Sequence, residues 1–275
     1  MFARFSKEIL RSPVEIIRNL YTYRHILSQM VIREIKGRFV GSVGGLFWHF
    51  IHPVVMMVIY LFVFVYIFKL RVGTGGGAGA SAIYLLAGLF PWIILAEGLL
   101  RGTSSLIENA NLIQKTSFPT EILTTKAVLA PLLSYGIAII LLMAYKSITS
   151  GFYTIFLVLP LILLLQVFFT LGISFISATM TVFFRDVMQL VQLGISFWIY
   201  VTPILYPVSM LPPWAQQAMY INPLYPFMSV YQSLLLQGTT GASHMFLLSS
   251  AWALIFFIFG SFIFGKLKNE FADWL

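Results

Sequence analysis

The sequence predicts an all-α integral membrane protein, with six transmembrane helices preceded by an amphipathic interface helix. Three observations carry that prediction. Of 275 residues, 59% are hydrophobic and 9% are charged, against about 25% charged in a soluble domain, so the chain lacks the polar groups needed to cover a globular surface. The apolar stretches run to about 20 residues, the length that crosses a hydrocarbon core as a helix. They do not alternate polar and apolar residues, as the strands of a membrane barrel would. Backbone groups in lipid must be paired internally, so uninterrupted helices are the expected outcome.

Residues 1–45 read as a cytoplasmic segment. Arg4, Lys7, Glu8, Arg11, Glu15 and Arg18 stand there with no apolar core between them, so the segment does not read as a signal peptide. Within it, residues 24–39, RHILSQMVIREIKGRF, form an amphipathic pattern. Leu27, Val31, Ile35 and Phe39 make an i, i+4 stripe flanked by Ile26 and Met30, while Arg24, Ser28, Gln29, Arg33 and Lys36 fall elsewhere on the wheel. A basic face opposite an apolar stripe suits a helix lying in the interface plane.

The transmembrane domain is expected over 46–265. Its first span covers 46–68 and is followed by a glycine-rich loop, Gly73 to Gly79. The second covers 82–100 and ends at Arg101. Polar residues then mark a loop over 101–124, before a third span at 125–145. A short turn, Lys146 to Gly151, leads to the fourth span at 153–182, and Phe184-Arg185-Asp186 separates it from the fifth at 187–206. Residues 207–243 hold Pro207, Pro212, Pro213, Pro223 and Pro226, so no straight helix is expected to run through them. The sixth span covers 245–265, and 266–275 form a charged tail.

Lys and Arg placement sets the orientation. With the N-terminus in the cytoplasm, the inside holds 14 basic residues and the outside only Lys69, Arg71 and Lys146. Both termini are therefore predicted inside, which requires an even number of crossings. The net charge of +8 is read as basic segments against anionic lipid rather than as a nucleic-acid footprint.

Several chemistries have no residues to support them. There is no cysteine, which excludes thiolate metal sites and disulfides. No Gly-x-x-x-x-Gly-Lys-Ser/Thr loop is present, so this chain is not expected to hydrolyse ATP itself. His49 and His52 lie at i, i+3 beside Pro53 and read as packed histidines, since two ligands make a poor metal site. Glu97 is the one acid inside a predicted span, and Arg101 at i+4 suits an ion pair with it. So few intramembrane charges argue against proton- or sodium-coupled transport. Aromatic residues make up 16% of the chain. They suit interfacial belts, and their faces would also suit the apolar C–H surface of sugar rings.

Three segments together resemble the membrane subunit of ABC exporters for bacterial surface polysaccharides. The first is Arg33-Glu-Ile-Lys-Gly-Arg38 through Gly44-Gly45-Leu-Phe-Trp48 to Pro53, where Val43-Gly44 followed by Gly45 replaces the family's usual Leu-Gly. The second is Asn111-Leu-Ile-Gln-Lys115 followed by Phe118-Pro119-Thr-Glu121. The third is Phe184-Arg185-Asp186, then Phe197-Trp198, Thr202-Pro203-Ile204-Leu205-Tyr206 and Asn222-Pro223. Each motif is weak alone, but their order and spacing over 33–223 are specific, and they resemble O-antigen export permeases most, with capsule and teichoic acid exporters close behind.

The resemblance implies a bacterial inner-membrane permease, not an enzyme. Two copies would form one pore above two ATPase subunits, which would hold ATP and Mg; this chain would hold no cofactor. Glu108, Asn111, Leu112, Gln114, Lys115, Phe118, Pro119 and Glu121 would couple to the ATPase, with Leu112, Ile113 and Phe118 plugging a groove on it. Arg33, Lys36 and Arg38 would touch the same ATPase or lipid phosphates. Segment 207–243 would be re-entrant on the periplasmic side. Trp48, Trp92, Trp198, Tyr206, Trp214, Tyr220, Tyr225 and Phe227, together with Tyr231, are the candidate substrate-pathway or gate residues. The cargo would be a lipid-linked polysaccharide. The residues leave open teichoic acid, capsule or a drug as cargo, and, in other classes, an ATP-independent channel or secondary transporter, or a lipid-sugar transferase.

Overall fold

The computed structural model describes residues 2–37, 47–69, 77–116, 118–150 and 154–275. Arg38, the Gly44-Gly45 motif, Gly73 to Gly76 and the Gly151 turn position lie outside them. All regular structure among the described residues is helical. Two helices, α1 (Phe2–Thr22) and α2 (Arg24–Gly37), precede α3 (Trp48–Tyr60), which continues as a π-helix over Leu61–Ile67. Next come α4 (Ala78–Glu108), α5 (Ala110–Lys115), α6 (Glu121–Ser150), α7 (Leu159–Phe183) and α8 (Val187–Val201). Then follow α9 (Pro213–Ala218), α10 (Tyr225–Gln237), α11 (Ser243–Leu267) and α12 (Phe271–Trp274).

Four helical stretches are long and apolar enough to cross a membrane: Ala78–Glu108, Glu121–Ile148, Phe156–Phe183 and Ser243–Trp274. They fall on the second, third, fourth and sixth predicted spans. Shorter apolar helices, Ile51–Ile67 and Val187–Val201, occupy the places of the first and fifth.

The bundle is built around α4, which is buried along most of its length and packs on α6, α7, α8 and α10. Close helix approach is clearest between α7 and α11. A Cβ at Gly260 would lie 2.1 Å from the Gly172 carbonyl oxygen, and one at Gly172 2.3 Å from the Phe256 carbonyl oxygen. Small residues of this kind let backbones meet where no hydrophobic drive operates between helices in lipid. Phe168 and Phe257 then stack edge-to-face beside the contact, 4.8 Å between centroids.

Two departures from the predicted elements have physical causes. The polar stretch 101–108, expected in a loop, is the last two turns of α4. Its hydroxyls satisfy themselves on the helix: Thr103 Oγ1 donates to the Leu99 carbonyl at 2.7 Å and Ser105 Oγ to the Gly102 carbonyl at 2.7 Å. Segment 207–243, where no straight helix was expected to run through, holds the short α9 and the longer α10, and Pro226 sits in the first turn of α10, where a missing N–H costs nothing. Gly238 closes that helix in the left-handed conformation at φ 68°. The second departure is α1, absent from the expected elements. Ile16 anchors it, fully buried in the cluster formed by Phe175, Phe264 and Phe271.

Candidate functional site

One end of the bundle gathers the polar and terminal elements. Side chains of α1 and α12 share a buried cluster with Ile113 of α5, so both chain ends lie at the same end as α5. Here α2 packs on α6, and the tie is ionic. Arg101, near the end of α4, donates through Nη1 to Glu34 Oε1 at 3.0 Å and through Nε to Glu97 Oε1 at 2.8 Å. Lys126 Nζ stands 3.4 Å from the other Glu34 oxygen. One carboxylate on α2 therefore bridges cations on α4 and α6. The Glu97–Arg101 pair was legible from its spacing; Glu34 and Lys126, 92 positions apart, were not.

The short helix α5 stands on this junction. Asn109 donates its amide to the Ser105 carbonyl at 2.7 Å, which fixes the break between α4 and α5. Glu108, Asn111, Gln114 and Lys115 face outward, exposed. Ile113 faces inward and is buried, with Leu112 and Phe118 half-buried against the same cluster. Of the residues expected to plug a partner's groove, Ile113 is therefore buried in this protein's own core, while Leu112 and Phe118 keep part of their surface exposed. Phe271 of α12, fully buried, packs in that core too.

Glu121 is a buried carboxylate in the first turn of α6, accepting a hydrogen bond from Asn19 of α1 at 2.5 Å. The positive end of the helix dipole favours a negative charge there. Pro119 is half-buried beside it. Arg33 and Lys36 are exposed on α2.

At the other end, α8 breaks at Thr202-Pro203, and the break is held by side chains. Trp198 Nε1 donates to Asn222 Oδ1 at 2.9 Å, and Asn222 Nδ2 donates to Thr202 Oγ1 at 3.0 Å. Asn222 Oδ1 also accepts from the Leu224 N–H at 3.1 Å. Tyr84 of α4 donates its hydroxyl toward the carbonyls of Pro203 (3.2 Å) and Tyr206 (3.0 Å), and Gln232 of α10 reaches Pro203 at 3.2 Å. Irregular backbone at membrane depth survives only where protein satisfies it. The separate pieces of the third motif, Trp198, Thr202-Pro203 and Asn222, are thus parts of one knot.

The candidate pathway aromatics divide into two groups. Trp92, Tyr225, Phe227 and Tyr231 are buried, and Trp198 is half-buried. Phe169 of α7 lies at their centre, with ring centroids 5.1 Å from Phe227 and 6.4 Å from Trp198, and Trp92 meets Trp198 edge-on at 6.3 Å. Within this chain these rings pack in the interior, with part of Trp198 left exposed. Trp48, Trp214 and Tyr220 are exposed and Tyr206 half-buried. Sequence reasoning did not single out an exposed apolar face on α8. Only Ile195 of that helix is buried, while Leu190, Leu193, Phe197 and Tyr200 are each at least 65% exposed. His52 stands edge-on to Tyr135 at 6.1 Å.

Long apolar helices, a proline break sealed by protein groups and an ion-paired junction at one end define a multi-pass helical membrane protein of the transporter kind. The chain belongs to the ABC-2 type transporter family, whose pattern matches residues 26–236. An O-antigen export system permease protein of Myxococcus xanthus is 28% identical over 266 residues, covering 94% of this chain and 99% of that one. Two Klebsiella pneumoniae proteins of the same name are 29% and 30% identical, covering 94% and 92% of this chain.

Proposed function

We propose that this chain is the permease subunit of an ABC exporter that moves lipid-linked O-antigen, or a closely related polysaccharide, across the bacterial inner membrane. The observation that carries the reading is the likeness to O-antigen export permeases over nearly the whole chain. ATP hydrolysis then belongs to a separate ATPase subunit, two copies of which bind ATP and Mg beneath two copies of this chain. The outward row made by Glu108 at the end of α4 and Asn111, Gln114 and Lys115 on α5 is the surface offered to that ATPase. Because Ile113, Leu112 and Phe118 lock α5 to the bundle, a push on the outer row is delivered to α4, α7 and α11 rather than absorbed by a loop.

In this reading Ile51–Ile67 and Val187–Val201 complete six crossings, with both termini cytoplasmic. The α3 run with its π-helical extension covers 20 residues, roughly 30 Å at an α-helical rise. The apolar face of α8 is turned to lipid or to the second copy, and the exposed Trp48, Trp214 and Tyr220, with Tyr206, are the aromatics placed to meet glycan.

The test is reconstitution in liposomes with the ATPase encoded beside it. Lipid-linked O-antigen is expected to stimulate ATP hydrolysis and to appear in the lumen. A chain that recruits no ATPase, or that moves the glycan equally without ATP, would overturn the proposal.

A further inference from the structure

One apolar stripe runs through residues 264–275. Phe264 and Leu267 stand in the last turn of α11, a 3₁₀ turn follows over Lys268–Glu270, and Phe271–Trp274 form α12. Phe264, Leu267, Phe271 and Leu275 keep the three- and four-residue spacing of a single helix face, and Trp274 adjoins it. Lys266, Glu270 and Asp273 are exposed. The charges stay in solvent while the stripe turns back onto the bundle. Phe271 is fully buried, its ring 5.2 Å from Phe264, which lies 4.7 Å from Phe175 of α7. Trp274 meets Phe183, the last residue of α7, edge-on at 5.4 Å. Leu275 is half-buried against the same cluster, and its N–H donates to the Phe271 carbonyl at 3.1 Å.

Helix α12 packs on both α5 and α7. Helices of four or six residues gain too little from their own hydrogen bonds to hold a shape alone, so each depends on what it packs against. α5 follows α4 through the break at Asn109 and rests on α4 and α12. Without α12, it would keep only its attachment at Asn109 and could pivot there. Ile113 of α5 and Phe271 share one buried cluster. From Phe271 the packing continues to Phe264 on α11, and along α12 to Trp274 and the end of α7.

We propose that α12 is a strut that fixes the angle of α5 and passes load from it to the end of α7, with Phe271 and Trp274 as its positioning residues. The proposal rests on the reading of α5 as the face offered to an ATPase, and it supplies the route from that face into the bundle. The two aromatics differ in what they contribute. Phe271 is buried and holds the fold as well as the angle. Trp274 is 60% exposed, so its removal costs the fold little, yet its edge contact sets where α12 abuts α7. Its loss therefore registers in coupling rather than in stability.

Two measurements test the strut. Hydrogen–deuterium exchange of the full chain without ATPase reads whether α12 holds α5. Glycan moved per ATP hydrolysed, in liposomes with the ATPase encoded beside it, reads whether load passes through α12. Trp274→Ala is expected to keep the wild-type unfolding midpoint, to speed exchange over residues 109–116, and to lower the transport ratio severalfold while the ATPase still binds. Trp274→Phe restores both readouts, and Asp273→Asn changes neither. Phe271→Ala moves both in the same direction and lowers the midpoint as well. Wild-type exchange over 109–116 in Trp274→Ala and Phe271→Ala alike overturns the proposal. So does an unchanged transport ratio in Trp274→Ala, and so does loss of ATPase binding in that variant, which makes Trp274 a docking residue. A wild-type chain that recruits no ATPase overturns the permease reading instead, and faster α5 exchange in Trp274→Ala tells that failure apart.

Discussion

At the end of the bundle that carries α2, α5 and α12, helices are tied by charge: Glu34 to Arg101 and Lys126, Arg101 to Glu97. At the end where α8 gives way to α9 and α10, the ties are neutral: Trp198 to Asn222, Asn222 to Thr202, Tyr84 and Gln232 to the carbonyls around Pro203. Tyr84 and Arg101 sit on the same helix, separated by roughly 25 Å of rise. The difference follows from solvent. Ion pairs are tolerable where headgroups and water share the desolvation cost. Freed carbonyls beside prolines, deeper in the protein, need donors that carry no charge to desolvate.

The sharpest way to break this contrast is Asn222→Ala. It removes the acceptor for Trp198 and the donor to Thr202 together, leaving partly buried groups unsatisfied. A loss of about 3 kcal/mol is expected, read as a lower unfolding midpoint in detergent. The loss should be indifferent to salt, and a strongly salt-dependent loss would contradict a neutral knot.

Ile113→Ala comes next, at about 2 kcal/mol for a buried side chain near the surface of the cluster. It separates two readings of α5. A helix anchored in the core loses stability in the isolated permease, before any ATPase is added. A helix whose apolar face waits for a partner would lose nothing until the complex forms.

Glu34→Gln should cost less, about 1 kcal/mol, because its partners keep part of their exposure to solvent: the side chains are 33% exposed at Arg101 and 14% at Lys126. Its signature is salt. The gap to wild type should narrow as ionic strength rises, opposite to the behaviour of Asn222→Ala. Equal salt slopes for the two variants would remove the distinction between the ends.

What could be read beforehand follows the same division. Periodicity and hydropathy are local, so helices at all six expected positions could be placed, as could the Glu97–Arg101 pair one turn apart. Pairings across the bundle have no local trace. Asn19 with Glu121, Glu34 with Lys126 and Tyr84 with Pro203 join elements that only the fold brings together. Leu112, Ile113 and Phe118 show what a short motif leaves open: the same amphipathic pattern serves a partner's groove or the protein's own core, and it is Phe271 and Phe264, distant in sequence, that share a buried cluster with Ile113. Trp92 and Phe227 were candidates for a pathway because aromatic content alone does not distinguish an enclosed ring from a lining one.

The smallest expected change in stability is also the most telling for function. Lys115 is exposed on the outer face of α5, and no ion pair holds it among the described residues. Lys115→Ala should leave the unfolding midpoint within about 0.5 kcal/mol of wild type, as surface substitutions do. If the outer row of α5 receives the ATPase, the same variant should lower glycan moved per ATP hydrolysed in liposomes, while Ile113→Ala lowers both stability and transport. Paired measurement of midpoint and coupling ratio then distinguishes the two faces of one six-residue helix. Lys115→Ala with an unchanged ratio would place the contact elsewhere, and α5 would be left with a purely architectural role at the ionic end.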